Sequence, residues 1–204
     1  LCPLFIAIKI AMRQVVALGQ DWDTPLLDNL QITWRSFARG LINFPEVKFP
    51  RSVRPPDPIG RPELIGFWDG SDDAYAGVVY VRWKTGHDTW HVAILCAKAR
   101  VTPIAGLSTP RSELNGLLVL ARLVDNCVRS LSVLPSRVTL IGDSTCTISS
   151  LEATASKLAS YFSNRVREID DIIKQTHTCP VNDISVFDEI SDQLSGTFVD
   201  KVYH

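Results

Sequence analysis

The sequence predicts an α/β domain: a mixed sheet of five strands flanked by helices, preceded by a small helical lead. Three observations carry that prediction. Glu63 to Trp68, Tyr75 to Trp83 and Trp90 to Cys96 are successive runs rich in Val, Ile and aromatics, the composition of strands. A long amphipathic stretch, Arg111 to Arg129, then leads to a fourth such run, Arg137 to Ile141. Helix-like and strand-like stretches alternate from there on, as in a sheet with crossover helices. The lead and a linker take residues 1–60, and the α/β domain takes residues 61–204.

In the lead, Leu4, Ile8, Ala11, Met12 and Val15 recur at helical spacing and predict a helix ending near Gly19. Asp21-Trp22-Asp23-Thr24-Pro25 reads as a turn and cap for a second helix carrying Leu27, Leu30, Trp34, Phe37 and Leu41. Phe44 to Arg61 holds Pro45, Pro50, Pro55, Pro56 and Pro58 and reads as a linker. Gly86-His87-Asp88 is a hairpin turn between the second and third strands. After the fourth strand come a helix from about Thr145 to Leu151 and another from Leu158 to Lys174. His177 to Val181 reads as a last short strand. Val186, Phe187, Ile190, Leu194 and Phe198 predict a final helix.

Composition narrows the functional classes. A 204-residue chain that is 46% hydrophobic and 21% charged buries an ordinary globular core. The net charge of −1 carries no whole-chain signal for nucleic acid, but its distribution is uneven. Arg82, Lys84, Lys98, Arg100, Arg111, Arg122, Arg129 and Arg137 face only Asp88, Glu113 and Asp125 over the same span. The five cysteines are scattered and form no CxxC pair, which speaks against a zinc site or a disulfide framework. Cys96 and Cys127 lie in apolar runs and read as buried thiols, as a reducing compartment allows. Leu1 to Met12 is too short to span a bilayer and lacks the features of a signal peptide, so no membrane partner is expected. A start at Leu1 rather than Met fits a piece of a longer chain.

The chemistry is expected at three carboxylates. Asp69 and Asp143 end strand-like runs, and Glu113 stands in the first turn of the long helix. The first and fourth strands would lie adjacent and parallel, joined by the crossover helix, so both aspartates share one sheet edge. Gathered carboxylates repel one another unless a cation joins them. Hard oxygen ligands suit Mg²⁺ or Mn²⁺. Two such ions roughly 3.5–4 Å apart can activate a water and stabilise the leaving oxygen of a phosphodiester. Each signal has a plainer reading. Asp69-Gly70-Ser71 is also a turn, Glu113 also complements a helix dipole, and Asp143-Ser144 also caps a helix.

Asp-Gly-Ser after a first strand, a glutamate opening the long helix and Asp-Ser after the fourth strand together resemble ribonuclease H. Longer stretches are similar to the polyproteins of BEL/Pao-class LTR retrotransposons: Phe67-Trp68-Asp69 to Tyr75-Ala76-Gly77-Val78-Val79-Tyr80, Ala97 to Ile104, Thr109-Pro110-Arg111-Ser112-Glu113-Leu114, Asp143-Ser144-Thr145 and Phe162 to Ile169. Leu18 to Asp23 and Phe49-Pro50-Arg51 resemble the connection that follows reverse transcriptase there. A Pao peptidase label attaches to this region, and these residues do not support it.

The resemblance implies hydrolysis of the RNA strand of RNA–DNA hybrids during reverse transcription. It implies two Mg²⁺ or Mn²⁺ ions, the reverse transcriptase of the same polyprotein as partner, and a cytoplasmic setting or a virus-like particle. Asp69, Glu113 and Asp143 would be catalytic metal ligands. A fourth acidic ligand belongs near the start of the last helix, where the family usually shows Asn-Pro-Ala-Asp. Here the segment reads Glu189-Ile190-Ser191-Asp192-Gln193-Leu194-Ser195-Gly196. Asp192 is the assignment, with Asp188 one turn earlier as the alternative. The chain also departs from the family at Ser112, where leucine is usual, and around His177.

A hybrid is bound through its A-like shape and its phosphates, by lysines and arginines. Lys98, Arg100 and Arg111 lead into the acidic edge and are the expected contacts; otherwise they are solvated charges. Arg165 and Arg167 read as surface pairs with Glu168 and Asp171, and the tryptophans as core.

Two other readings compete. Leu140-Ile141-Gly142-Asp143-Ser144-Thr145 superficially resembles an aspartic-protease loop, but that loop needs glycine where Thr145 stands. The other is an inactive ribonuclease H-like scaffold or connection module.

Overall fold

In the computed structural model, which describes residues 2–19, 21, 23–44, 48, 50–153, 158–178, 183–188 and 201–202, strict alternation along the strands decides which sheet face is covered. Strand β1 (Ile59–Gly70) buries Leu64, Gly66, Trp68 and Gly70, and β2 (Ala74–Lys84) buries Gly77, Val79, Val81 and Trp83. Strand β4 (Arg137–Gly142) adds Val138, Leu140 and Gly142 on the same face. Helix α3 (Thr109–Ser130) lies across it with Leu114, Leu117, Leu120, Ala121, Val124 and Val128. Full burial of a Leu or Val side chain contributes about 1.5–3 kcal/mol, so this layer is the main source of stability.

Pairing follows the expected order. β1 and β2 are antiparallel, β2 and β3 (Trp90–Val101) are antiparallel, and β1 and β4 are parallel. The parallel pair requires a crossover, and α3 supplies it. These four strands form the packed body, one fewer than the five expected. Strand β5 (Asp183–Asp188) pairs parallel to β4, and the two-residue β6 (Lys201–Val202) pairs antiparallel to β5. Among the described residues the order is β3-β2-β1-β4-β5-β6.

Helix α4 (Thr145–Glu152) follows β4, and α5 (Ser160–Thr178) packs Val166, Ile169 and Ile173 into the same core. Helix α1 (Cys2–Ala17) lies against β3 and is followed by α2 (Asp28–Ile42). Arg13 fastens α1 to the turn after β1. Its guanidinium donates to the Asp73 carboxylate, to the Thr102 hydroxyl, and to the carbonyls of Asp73 and Thr102 at 3.1 and 3.3 Å.

Several expectations are corrected. The 21–25 turn does not cap α2: the helix starts at Asp28 after Leu27, with no side-chain cap. The last linker residues join β1, with a register irregularity between Ile59 and Glu63. β3 runs five residues past Cys96, because Ala97 to Val101 pair with β2. His177 belongs to the end of α5, and the strand that follows begins at Asp183. Val186 and Phe187 lie in that strand rather than in a helix, since they pair with Leu140 and Ile141. Ile190, Leu194 and Phe198 lie outside the described residues.

Candidate metal and nucleic-acid site

The parallel register of β1 and β4 positions the two aspartates. Gly66 pairs with Leu140 and Phe67 with Ile141, so continuing two residues sets Asp69 abreast of Asp143, two residues past the last β1–β4 pair. Paired residues of a parallel sheet face the same side. Both aspartates are exposed, on the face opposite α3. They line a groove of about 710 Å³ with Phe67, Tyr80, Ile94 and Lys98, and Ile6 of α1 borders it.

Glycines let α3 approach this strand end. A Cβ on Gly70 would lie 2.4 Å from the backbone nitrogen of Glu113, and one on Gly116 would lie 2.7 Å from the Asp69 carbonyl oxygen. A Cβ on Gly142 would stand 2.1 Å from the Trp68 ring. Ser112 is fully buried and donates to the Ser71 carbonyl at 2.6 Å, tying α3 to the β1–β2 turn. The residue that departs from the family pattern therefore has a structural role. Thr109 Oγ1 donates to Asp72 Oδ1 at 3.0 Å across the same seam.

Glu113 is the fifth residue of α3, because the helix opens at Thr109; its first turn contains no acidic residue. The expectation of a first-turn glutamate is thus corrected, and the plain dipole explanation loses its basis. Glu113 is partly buried, and Ser144 Oγ donates to its Oε2 at 2.6 Å. Asp69 Oδ1 accepts from the backbone N–H of Gly70 at 2.6 Å. Thr145 opens α4, so no tight glycine turn of the aspartic-protease kind follows Asp143.

The donor set is hard oxygen at one sheet edge, which fits Mg²⁺ or Mn²⁺ in kind. As placed, no three His, Cys, Asp or Glu side chains among the described residues converge to hold an ion. Asp69 and Glu113 each spend an oxygen on a local hydrogen bond instead. Asp188 ends β5 opposite Gly142, so its backbone reaches this same corner. Asp192 lies outside the described residues.

Of the expected cationic contacts, Lys98 lines the groove, while Arg100 and Arg111 are exposed outside it. Arg111 belongs to a second cluster that the sequence reading missed. Its guanidinium carbon lies 4.8 Å from the centroid of the Tyr161 ring, and that of Arg165 lies 3.5 Å from the same centroid. Buried Asn115 accepts from Arg165 Nε at 2.7 Å and donates to Tyr161 Oη at 2.9 Å. Arg165 is therefore no surface pair with Glu168, whose carboxylate takes Arg122 at 2.5 Å. The available signal was Asn115, a polar residue inside an apolar helix face. Trp68 and Trp83 are core as expected, whereas Trp90 is 39% exposed beneath Arg82.

A family model for the Pao retrotransposon-like RNaseH-like domain matches residues 1–144. The chain has 11% identity to RNase H1 from the halophilic archaeon Halobacterium salinarum, covering 64% of this chain and 89% of that one at a TM-score of 0.38. It is also similar to foamy-virus structures. For the PFV RNase H domain the values are 11% identity, coverage of 69% and 86%, and a TM-score of 0.39. For the Prototype Foamy Virus protease-reverse transcriptase they are 14%, coverage of 84% and 26%, and 0.38. A comparison with curated proteins finds no match. With the family model spanning both lead helices, the four packed strands, Asp69, Glu113 and Asp143, the chain belongs to the Pao retrotransposon-like RNaseH-like domain family.

Proposed function

We propose that this domain is a metal-dependent endonuclease that hydrolyses the RNA strand of RNA–DNA hybrids during reverse transcription. The observation that carries the reading is the register of β1 with β4, which sets Asp69 abreast of Asp143 while Ser144 holds Glu113 at the same corner. Asp69, Glu113 and Asp143, with Asp192 or Asp188 as the fourth, would hold a pair of Mg²⁺ or Mn²⁺ ions. When bound, such ions polarise a phosphoryl oxygen and lower the pKa of water. Asp69 would release the Gly70 N–H, and Glu113 would keep its Ser144 hydrogen bond as the group that orients it.

The hybrid's phosphates would meet Lys98 in the groove, with Arg100 and the Arg111–Tyr161–Arg165 cluster on the flanks. Residues 1–60 would serve as a connection to the reverse transcriptase of the same polyprotein, within the cytoplasm or a virus-like particle.

A labelled hybrid incubated with the purified chain tests the proposal. Cutting of the RNA strand alone, supported by Mg²⁺ or Mn²⁺ and stopped by EDTA, is the expected result. A second reading, an inactive scaffold, draws on the local hydrogen bonds that occupy Asp69 and Glu113. Absence of cutting with either metal, from a chain that circular dichroism shows folded, would favour it.

A further inference from the structure

Two cysteines that play no part in the proposed chemistry meet across the sheet–helix interface. Cys96 of β3 and Cys127 of α3 stand with their Sγ atoms 3.4 Å apart, though 31 residues separate them in sequence. A bulge in β3 brings them together. Val79 pairs with Cys96 but Tyr80 pairs with Ile94, so Leu95 is an extra residue in the strand. Without it, Leu95 and Cys96 would point to opposite faces; with it, both are partly buried and pack against the core beside α3. Cys146, by contrast, is exposed.

We propose that Cys96 and Cys127 form a reversible disulfide, a thiol-modification site that pins β3 to α3. The sulfurs need to close from 3.4 Å to about 2.05 Å, a side-chain adjustment at an interface already in contact. The partner reagent is a low-molecular-weight disulfide. The Cys96 thiolate attacks one of its sulfurs, forming a mixed disulfide and releasing one small thiol. Cys127 then loses its proton to solvent and its sulfur displaces the second small thiol. Two protein S–H groups are oxidised by two electrons, and one small disulfide is reduced to two thiols. The order of attack follows from the hydrogen bond between the sulfurs, which lowers the Cys96 pKa and raises that of Cys127. The bond would brace the strand carrying Lys98 against the helix carrying Glu113. It depends on nothing in the nuclease reading.

The test uses the full wild-type chain, reduced, freed of reductant and exposed to oxidised glutathione, then digested without reduction for mass spectrometry. The expected product is a linked peptide pair joining Cys96 to Cys127, two hydrogens lighter than its parts and reopened by dithiothreitol. The oxidised chain should melt roughly 5 °C higher, and dithiothreitol should reverse that rise. Cys127→Ser should leave Cys96 as a stable glutathione mixed disulfide. Recovery of Cys96 and Cys127 as unlinked thiols or as separate mixed disulfides, while Cys146 is modified, would overturn the proposal. A link between Cys96 and any other cysteine in the wild-type chain would do so equally.

Discussion

Ser144 and Glu113 are joined by a hydrogen bond of 2.6 Å, and the same Ser144 oxygen accepts from the Thr147 N–H at 3.1 Å. One hydroxyl thus caps α4 and fixes the carboxylate that α3 brings to the strand ends. Ser144 is only 5% exposed, so water does not replace what its removal takes away. Ser144→Ala is expected to cost about 1–2 kcal/mol. Urea denaturation measures this, and a loss below a few tenths would mean that neither bond matters.

The glycines at the site should sort by what surrounds them. Gly142→Ala drives a methyl into the Trp68 ring, and Gly70→Ala drives one into the backbone of Ser112 and Glu113. Each should lose about 2–3 kcal/mol or more through overpacking. Gly40, inside α2 with nothing within 4 Å of an added Cβ, is the contrast. Gly40→Ala should be neutral or stabilising by up to about 1 kcal/mol. Thermal melts of the three variants separate the cases, and equal losses would refute the packing argument.

How far the sequence reveals this arrangement depends on whether the deciding interaction is local. Asp69 and Asp143 are legible because each ends an apolar run and because a parallel crossover restricts where those ends go. The far half of β3 is not, since Lys98 to Val101 have no strand pattern of their own and are held by pairing with β2. Helix α3 starts at Thr109, two residues before the expected Arg111, because Pro110 fits the opening turn as well as the position before it. Val186 and Phe187 suit either period, and only their pairing with Leu140 and Ile141 decides. The Arg165–Asn115 bond and the cysteine pair are invisible to any short spacing, because 50 and 31 residues separate the partners.

The arginine cluster makes a separate prediction. If Arg111 and Arg165 contact hybrid phosphates, Arg111→Gln and Arg165→Gln should each flatten the dependence of log K on log salt by about 0.7–0.9. Fluorescence anisotropy with a labelled hybrid in EDTA reads binding without cleavage. An unchanged slope would make both arginines purely structural around Tyr161.

The exposed Arg122–Glu168 pair should add little despite its 2.5 Å geometry. Both side chains are more than two-fifths exposed, and a double-mutant cycle is expected to give less than about 1 kcal/mol.

The most direct test compares hybrid cleavage by the wild-type chain, by Asp69→Asn and by Asp88→Asn, in Mg²⁺ and in Mn²⁺. Asp88 is a suitable control because it lies exposed in the β2–β3 turn, paired with the equally exposed His87. The account predicts metal-dependent cutting of the RNA strand by the wild type and by Asp88→Asn, and none by a folded Asp69→Asn chain. Cutting that survives Asp69→Asn unchanged would contradict it.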